Sequence, residues 1–402
     1  MIKQAIILAA GEGQRLRPFT AAKPKVMLPV ANKPILEYVV RALAENNIRD
    51  VILIIGYRKD KVMSHFGNGR DFGVRIRYVE QRQQLGTAHA LKQAESLAAE
   101  EFLVISGDNI VDESTVAAAL AAEKNSLLYK QHPEASKYGV IEIESLEAPE
   151  DGARVRKIIE KPKGGAESAL VNIGIYVFDR SIFDEIGEKT DMTDVLNEFV
   201  ERGGTLRAHE AKGAWLDVVY PWDILSVNDV ALRLSATGRT LAGRIERNII
   251  IRGDVEIGEG SVIRANSYIV GPVIIGKNCE IGPNVCIFPA TSIGNNVSIE
   301  AFTLVRNSVI MDDVSIGAGC SIKNSIIDRG CSIGDRFSTQ SGRGDVKING
   351  EHHSVEAGAM LGERCVIGDN VVTKPCTILG NNVRVGDVKV AGGIIPDNSL
   401  VW

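Results

Sequence analysis

The sequence predicts two folds in tandem, a doubly wound α/β domain followed by a parallel β-helix. Three observations carry this reading. Short apolar runs alternate with amphipathic helical stretches over roughly the first quarter of the chain. Isoleucine recurs every six residues in the last third. A chain of 402 residues is also too long for one ordinary core.

In chain order, residues 2–9 read as a strand whose apolar run Ala5-Ile6-Ile7-Leu8-Ala9 stops at Gly11-Glu12-Gly13. Residues 35–46 read as a helix with Leu36, Val39, Val40 and Leu43 on one face. Residues 51–55 form an apolar strand that ends at Gly56, and 74–79 form another. Residues 86–100 read as a helix with Ala90, Leu91, Ala94 and Leu97 inward. The strand at 102–105 is closed by Gly107. This alternation implies a parallel sheet with helices on both faces. Ligands bind such sheets at the carboxyl ends of the strands, which puts Gly11, Gly86 and Asp108 near one edge.

From 111 to 235 the pattern is mixed, with strands at 138–143, 154–160 and 170–178 and helices at 193–202 and 224–234. The stretch around Gly238 and Gly243 is polar. The expected division is a first domain over 1–235, a linker over 236–246 and a second domain over 247–402.

In that second domain isoleucine stands at 251, 257, 263, 269, 275, 281, 287, 293 and 299, and glycine follows four of them. A period of six is one side of a three-sided coil, about 18 residues per turn, with a rise of about 4.8 Å. The phase is expected to slip by one residue to Leu304, Ile310, Ile316 and Ile322, then again to Ile327 and Ile333. Residues 337–359 interrupt the repeat, which returns at Leu361, Ile367, Ile378 and Val385.

Composition narrows the function. With 45% hydrophobic and 24% charged residues the chain reads as a globular protein. A net charge of −5 argues against general nucleic-acid binding and against a polybasic membrane surface. No apolar run reaches the length of a membrane span. Met1 lies too close to the first strand for a signal peptide, so a cytoplasmic location is expected. The six cysteines all lie in the last third, without C-x-x-C or zinc-ligand spacing. They are expected to be reduced and stacked in a core.

Gly11-Glu12-Gly13-Gln14-Arg15-Leu16 is neither the dinucleotide fingerprint nor a Walker A loop. The glycines alone fit a plain turn as well as an anion cradle. Arg15 and Lys25 downstream favour the cradle. A guanidinium can clamp phosphate oxygens, and Lys25 sits between the stiffening prolines Pro24 and Pro29.

Leu8-Ala9-Ala10-Gly11-x-Gly13-x-Arg15-Leu16 with Lys23-Pro24-Lys25 resembles the signature of sugar-1-phosphate nucleotidylyltransferases. Later blocks agree in order: Gln81, Leu85-Gly86-Thr87-Ala88, Ser106-Gly107-Asp108, Tyr138-Gly139-Val140, Ile159-Glu160-Lys161-Pro162, Asn172-Ile173-Gly174-Ile175-Tyr176 and Trp215-Leu216-Asp217. The second domain is similar to the left-handed β-helix of bifunctional N-acetylglucosamine-1-phosphate uridyltransferases, particularly archaeal two-domain forms.

The resemblance implies a Rossmann-like nucleotidyltransferase domain and a set of roles. Leu8, Ala9, Ala10, Gly11, Gln81, Gly86 and Thr87 would hold the base and ribose. Gly11, Gly13 and Arg15 would hold the triphosphate, with Lys25 at the α-phosphate. Asp108 and Asp217 would bind Mg²⁺. Gly139, Glu160, Lys161 and Asn172 would hold the sugar phosphate. The substrates would be UTP or dTTP and a sugar-1-phosphate. UTP with N-acetylglucosamine-1-phosphate is the first choice, and dTTP with glucose-1-phosphate the second. These residue types suit the chemistry. The nucleophile is an already ionised phosphate oxygen, so charge and alignment make the barrier and cations lower it.

Two positions depart from the family pattern. Val219 replaces the usual glycine two residues after the metal aspartate, and Ile173 replaces a threonine. In the second domain, His352 and His353 are candidate bases for an acetyl-CoA-dependent acetyl transfer, or polar residues on a loop tip. Phe337-Ser338-Thr339-Gln340-Ser341-Gly342 stands where those relatives carry Gly-Ala-Gly-Thr. His89 is expected to pack. His65, His132 and His209 suggest no partners. Other readings are a β-helix serving only as an oligomerisation scaffold, in a trimer or a multiple of it, and a non-catalytic nucleotide-sugar-binding regulator.

Overall fold

The computed structural model describes residues 2–144, 152–162, 169–235 and 238–402. Residues 236 and 237 of the expected linker lie outside the described residues, as does Met1. Two compact units emerge. The first comprises Met1–Glu12, Lys23–Met27 and Ile35–Asp217, and the second Gly13–Ala22, Leu28–Pro34 and Val218–Trp402.

The first unit is built on one nine-stranded sheet. Its strands are β1 (Gln4–Ala9), β2 (Asp50–Ile55), β3 (Arg75–Glu80), β4 (Glu101–Ser106), β6 (Ser126–His132), β7 (Gly139–Ile143), β8 (Ala153–Glu160), β9 (Ala169–Asp179) and β10 (Arg207–Glu210). The order is β3-β2-β1-β4-β9-β6-β10-β8-β7. The expected parallel sheet is thus only its first part. β3, β2, β1 and β4 run parallel, but β9 joins β4 antiparallel, and antiparallel pairs dominate beyond it. The reason is visible in the chain. A parallel pair needs a crossover of about a dozen residues or more, and β6, β7, β8 and β9 follow one another too closely in sequence for that.

Helix α1 (Ile35–Glu45) buries Leu36, Val39, Val40 and Leu43 as its period predicts. Helix α2 (Lys59–Phe66) follows β2. The helix expected over 86–100 is shorter. α3 spans Thr87–Lys92, a single 3₁₀ turn follows at Glu95–Leu97, and Leu97 is exposed rather than inward. Two further strands, β5 (Asn109–Val111) and β11 (Trp215–Asp217), form a separate antiparallel ribbon. No helix among the described residues is long and apolar enough to cross a membrane.

The second unit contains a three-sided coil of parallel sheets with nine, nine and eight strands among the described residues. The columns follow the six-residue period. Ile257, Ile275 and Ile293 are in register on one side, Ile263, Ile281 and Ile299 on the next, and Ile251, Ile269 and Ile287 on the third. Thr240–Leu241 and Arg244–Ile245, inside the stretch expected as linker, already pair with the coil strands at 255–257 and 262–263.

The phase slip falls one step later than expected. Val305, not Leu304, is the inward residue, in register with Ile287 and Ile322 and fully buried. The shortened steps are Val305 to Ile310 and Ile322 to Ile327, at the corners Asn307-Ser308 and Asn324-Ser325. In both corners the serine Oγ donates to the carbonyl two residues back, at 2.7 Å, and accepts an amide from the next rung. The hydroxyl closes the corner with one residue fewer.

Residues 337–359 do not break the stack. Gly342–Ile348 and Glu351–Ala357 form a hairpin with Asn349-Gly350 at its tip, both at positive φ. Pairing resumes directly from Ile326 and Ile327 to Met360 and Leu361. The cysteines are free. Cys279, Cys320, Cys331 and Cys365 lie in the coil's core, while Cys286 faces outward and is half-buried.

Candidate active site

The carboxyl ends of the parallel strands converge as the fold class requires. The Gly107 amide donates to the Leu8 carbonyl at 2.9 Å, and the Tyr57 amide to the Ala10 carbonyl at 3.2 Å. This brings the ends of β1, β2 and β4 together, with Asp108 one residue beyond Gly107. Gln81 follows β3 and is buried. Its side-chain amide donates to the Gly86 carbonyl at 3.0 Å and meets His89 Nδ1 at 2.9 Å. His89 therefore orients Gln81, a polar role in place of the packing expected of it.

Gly86 opens α3 at φ 149°, where a side chain would meet the Thr190 carbonyl oxygen at 2.4 Å. The Ala88 and His89 amides donate to that same carbonyl. The Thr87 hydroxyl accepts the Met192 amide at 3.0 Å, so its oxygen is committed to the start of helix Met192–Glu201.

The ribbon explains how two aspartates distant in sequence meet. Asp217 stands directly opposite Asn109, the neighbour of Asp108. Lys25 Nζ lies 2.7 Å from Asp108 Oδ2 and 2.7 Å from Asp217 Oδ1. Burial would discharge Lys25, but the two carboxylates outweigh it and raise its pKa, so the ammonium stays charged. The ribbon is braced by Asp112, which caps helix α4 (Glu113–Ala121) by accepting the Thr115 amide and also accepts the Ala214 amide, both at 2.9 Å. Beside it, the Tyr138 ring meets Trp215 edge-on at 5.1 Å and His132 at 5.1 Å. Burial holds the His132 imidazole below its ordinary pKa.

A second group gathers on β7, β8 and β9. Glu160 pairs with Lys161 at 3.1 Å, and its other oxygen lies against the Gly139 backbone. Asn172 donates to the Tyr176 hydroxyl at 2.8 Å and accepts the Gly174 amide at 3.0 Å. Burial pushes the Tyr176 phenol up to about 12, with the Glu160 charge adding to the effect, so it stays protonated. Ile173, where a threonine was expected, turns into the core, and its carbonyl accepts from Asn109 Nδ2.

Arg15 and Gly13 belong to the second unit. Gly13, at φ 77°, starts the 3₁₀ turn Gln14–Leu16 that carries Arg15. Val219 causes no backbone strain, since its φ is not positive. Its amide and that of Tyr220 donate to Asp223 Oδ2 at 3.0 and 2.8 Å. His353 is on a hairpin strand rather than a loop tip. Its ring packs on Tyr220 at 4.3 Å and Trp222 at 5.5 Å, while His352 beside it is exposed.

The donor chemistry fits Mg²⁺. Two carboxylates share one cation position. Among the described residues no cluster of three or more acidic, histidine or cysteine ligands exists that would form a closed cage. Mg²⁺ characteristically takes one or two carboxylates and completes its shell with phosphate oxygens and water. Sequence reasoning missed Asp112, Tyr176 and the Gln81–His89 pair. Asp112-x-x-Thr115 is a legible N-cap pattern, whereas the other two are side-chain hydrogen bonds, Asn172 to Tyr176 along one strand and Gln81 to His89 from a strand end to the next helix, that hydrophobic spacing does not reveal.

Residues 4–232 match the family described as nucleotidyl transferase. Residues 269–357 match the family described as GMPPB C-terminal domain, and 358–386 the hexapeptide repeat of succinyl-transferase. The protein named bifunctional protein GlmU from Methanococcus maripaludis is 33% identical over 414 residues, covering 99% of this chain and 97% of its own. A glucose-1-phosphate thymidylyltransferase from Streptomyces griseus is 30% identical over 81% of this chain and 92% of its own. Among solved structures, a UDP-glucose pyrophosphorylase complexed with UDP-glucose is 25% identical, with a TM-score of 0.51, over 58% of this chain and all of that one. The motifs, the fold and these matches agree: the chain belongs to the nucleotidyl transferase family, as a sugar-1-phosphate nucleotidyltransferase followed by a left-handed β-helix of hexapeptide repeats.

Proposed function

We propose that the chain joins UTP to N-acetylglucosamine-1-phosphate, giving the nucleotide sugar and pyrophosphate. The observation that carries this reading is Lys25 held between Asp108 and Asp217 at 2.7 Å from each. That arrangement supplies a cation for the α-phosphate and two carboxylates for Mg²⁺. The choice of substrates rests on the full-length similarity to the proteins named GlmU.

A phosphate oxygen of the sugar-1-phosphate attacks the α-phosphorus, and the bond to the bridging oxygen of pyrophosphate breaks. Bound Mg²⁺ would neutralise charge on the transferred and leaving phosphates. Arg15 and the Gly11–Gly13 turn hold the triphosphate, and Lys25 stabilises charge at the α-phosphate. Leu8, Ala9, Ala10, Gln81, Gly86 and Thr87 hold the base and ribose. Gly139, Glu160, Lys161 and Asn172 hold the sugar phosphate. Tyr176, which stays protonated, fixes the Asn172 amide.

The test is pyrophosphate release with Mg²⁺ and a panel of nucleotide and sugar-phosphate pairs. The fastest turnover is expected with UTP and N-acetylglucosamine-1-phosphate. Preference for dTTP and glucose-1-phosphate would favour the second reading, which the Streptomyces griseus relative supports. No release with any pair would favour a nucleotide-sugar-binding regulator.

For the coil, the proposal is acetyl transfer from acetyl-CoA to glucosamine-1-phosphate, supported by the word bifunctional in the names of full-length relatives. Exposed His352 is the available base, since His353 is packed against the stacked rings of Tyr220 and Trp222. No acetyl-CoA consumption would leave the coil as a scaffold. We further propose a cytoplasmic trimer or a multiple of it. Light scattering giving a monomer mass would refute the assembly, and recovery of the protein with the membrane fraction would refute the location.

A further inference from the structure

One side-chain amide in the α/β unit has both of its hydrogens committed and its oxygen left over. Gln81 directly follows β3 and is 4% exposed. Its backbone amide donates to the Ile55 carbonyl, at the end of β2, at 2.8 Å. Gly56 is wedged between this point and the end of β1. A side chain on Gly56 would meet the Ala10 carbonyl oxygen at 2.9 Å and the Gln81 carbonyl oxygen at 3.1 Å. Gln81 is thus held at the strand ends beside Ala10.

The side-chain amide is fixed from two sides. The Gly86 carbonyl accepts the Ala90 amide at 3.1 Å in the first turn of α3, so the helix sets its direction. A carbonyl only accepts, so the Gln81 atom 3.0 Å from it has to be the nitrogen. The second hydrogen of that nitrogen meets His89 Nδ1 at 2.9 Å. Nδ1 is then the accepting nitrogen of the imidazole, and the ring proton sits on Nε2. The His89 backbone is tied down as well. Its amide donates to the Thr190 carbonyl at 3.0 Å, and its carbonyl accepts from Gln93 Nε2 at 3.1 Å. Among the described residues no group donates to Gln81 Oε1. A buried amide oxygen without a donor is costly, and a ligand N–H removes that cost.

We propose that His89 is a positioning residue that sets base specificity. By taking the second amide hydrogen it keeps the Gln81 amide from turning over, so the site offers the base an acceptor at this point. The pyrimidine that fits carries a ring N–H, the N3–H of uracil or thymine. Cytosine has a lone pair at N3 and would set acceptor against acceptor. Uracil and thymine share the N–H, so this contact does not separate UTP from dTTP. The proposal rests on the nucleotidyl-transfer reading above, and every residue in it belongs to the α/β unit.

The experiment measures equilibrium binding of UTP, CTP and UTP methylated at N3 to the full chain, by calorimetry with Mg²⁺. The wild type is expected to bind UTP at least about tenfold more tightly than either of the others. In His89→Ala the Gln81 amide keeps only its Gly86 bond. The ratio of UTP to CTP affinity should fall about threefold to tenfold, the effect of losing one hydrogen bond. His89→Asn, whose side-chain oxygen accepts in place of Nδ1, should restore most of the ratio. If His89→Ala does not fold, His89→Leu, which keeps bulk and removes the acceptor, reads the same ratio. A merely structural role would weaken both nucleotides alike. An unchanged ratio in the variants would overturn the proposal, as would equal wild-type affinity for UTP and its N3-methyl form. Failure of the function itself is distinguishable. A wild-type chain that binds no triphosphate would sink the nucleotidyl-transfer reading and this proposal together. One that binds UTP and CTP alike would sink this proposal alone.

Discussion

In the coil, Ile257, Ile275 and Ile293 are in register on successive rungs, each paired with the same position one turn away. In the α/β unit, Lys25 meets Asp108 across 83 residues and Asp217 across 192. The first arrangement repeats one local contact many times, and each rung needs only its neighbours. The second is made once and depends on the order of the whole sheet and on the ribbon pairing Asp217 with Asn109. A substitution in the coil is therefore expected to cost stability and spare chemistry. A substitution at the Lys25 cluster should do the reverse.

The largest effect is expected at the Lys25 cluster. Lys25→Ala should lower the pyrophosphate-release rate about a hundredfold to a thousandfold, the scale of losing one group that stabilises transition-state charge. The folded fraction should hold. A rate within threefold of wild type would break the comparison on its functional side.

Next comes the coil core. Ile281→Ala removes a fully buried side chain from the stacked column and should cost about 2–5 kcal/mol in denaturant unfolding. The rate per folded molecule should not change. A matching drop in that rate would show that the coil's core and the chemistry are not separable.

A smaller effect is expected at Asp112. Burial alone would raise its carboxyl pKa. The amides of Ala214 and Thr115 and the hydroxyls of Thr115 and Ser114 outweigh burial and hold it below the ordinary carboxylate value. The fold thus favours the ionised form. Its contribution is complete above the unfolded value of about 4 and is lost as pH falls through the lowered folded value. Asp112→Ala should cost about 1–2 kcal/mol at pH 7. Urea midpoints of the two proteins should converge as pH falls through that lowered value. A gap that persists there would mean that the charge of Asp112 plays no part.

The smallest effect is expected on the coil surface. Arg264, whose side chain is 37% exposed, pairs with Glu280 and Glu246 at 2.6 and 2.9 Å on the coil surface. Solvent screens such pairs, and Arg264→Ala should leave the unfolding midpoint where it is.

The same contrast governs what could be read from the chain. The coil was legible from its isoleucine period, down to which residues point inward as far as Ile299. The error at Leu304 arose because a serine hydroxyl at Asn307-Ser308 shortens the corner, a side-chain bond that hydrophobic spacing does not reveal. In the α/β unit, single strands and helices were legible from apolar runs. The antiparallel half of the sheet was not, because pairing order is a long-range property. The candidate residues were legible as motifs. The ribbon that brings Asp217 to Asp108 had no signal in local sequence.

The most direct test is the Mg²⁺ dependence of pyrophosphate release in the wild type and in Asp217→Asn, with UTP and N-acetylglucosamine-1-phosphate. The wild type should release none in excess chelator and reach saturation as Mg²⁺ is restored. Asp217→Asn should show a much lower rate that needs far more Mg²⁺. A full wild-type rate in chelator, or the same Mg²⁺ curve for both proteins, would contradict the assignment of Asp217 to Mg²⁺.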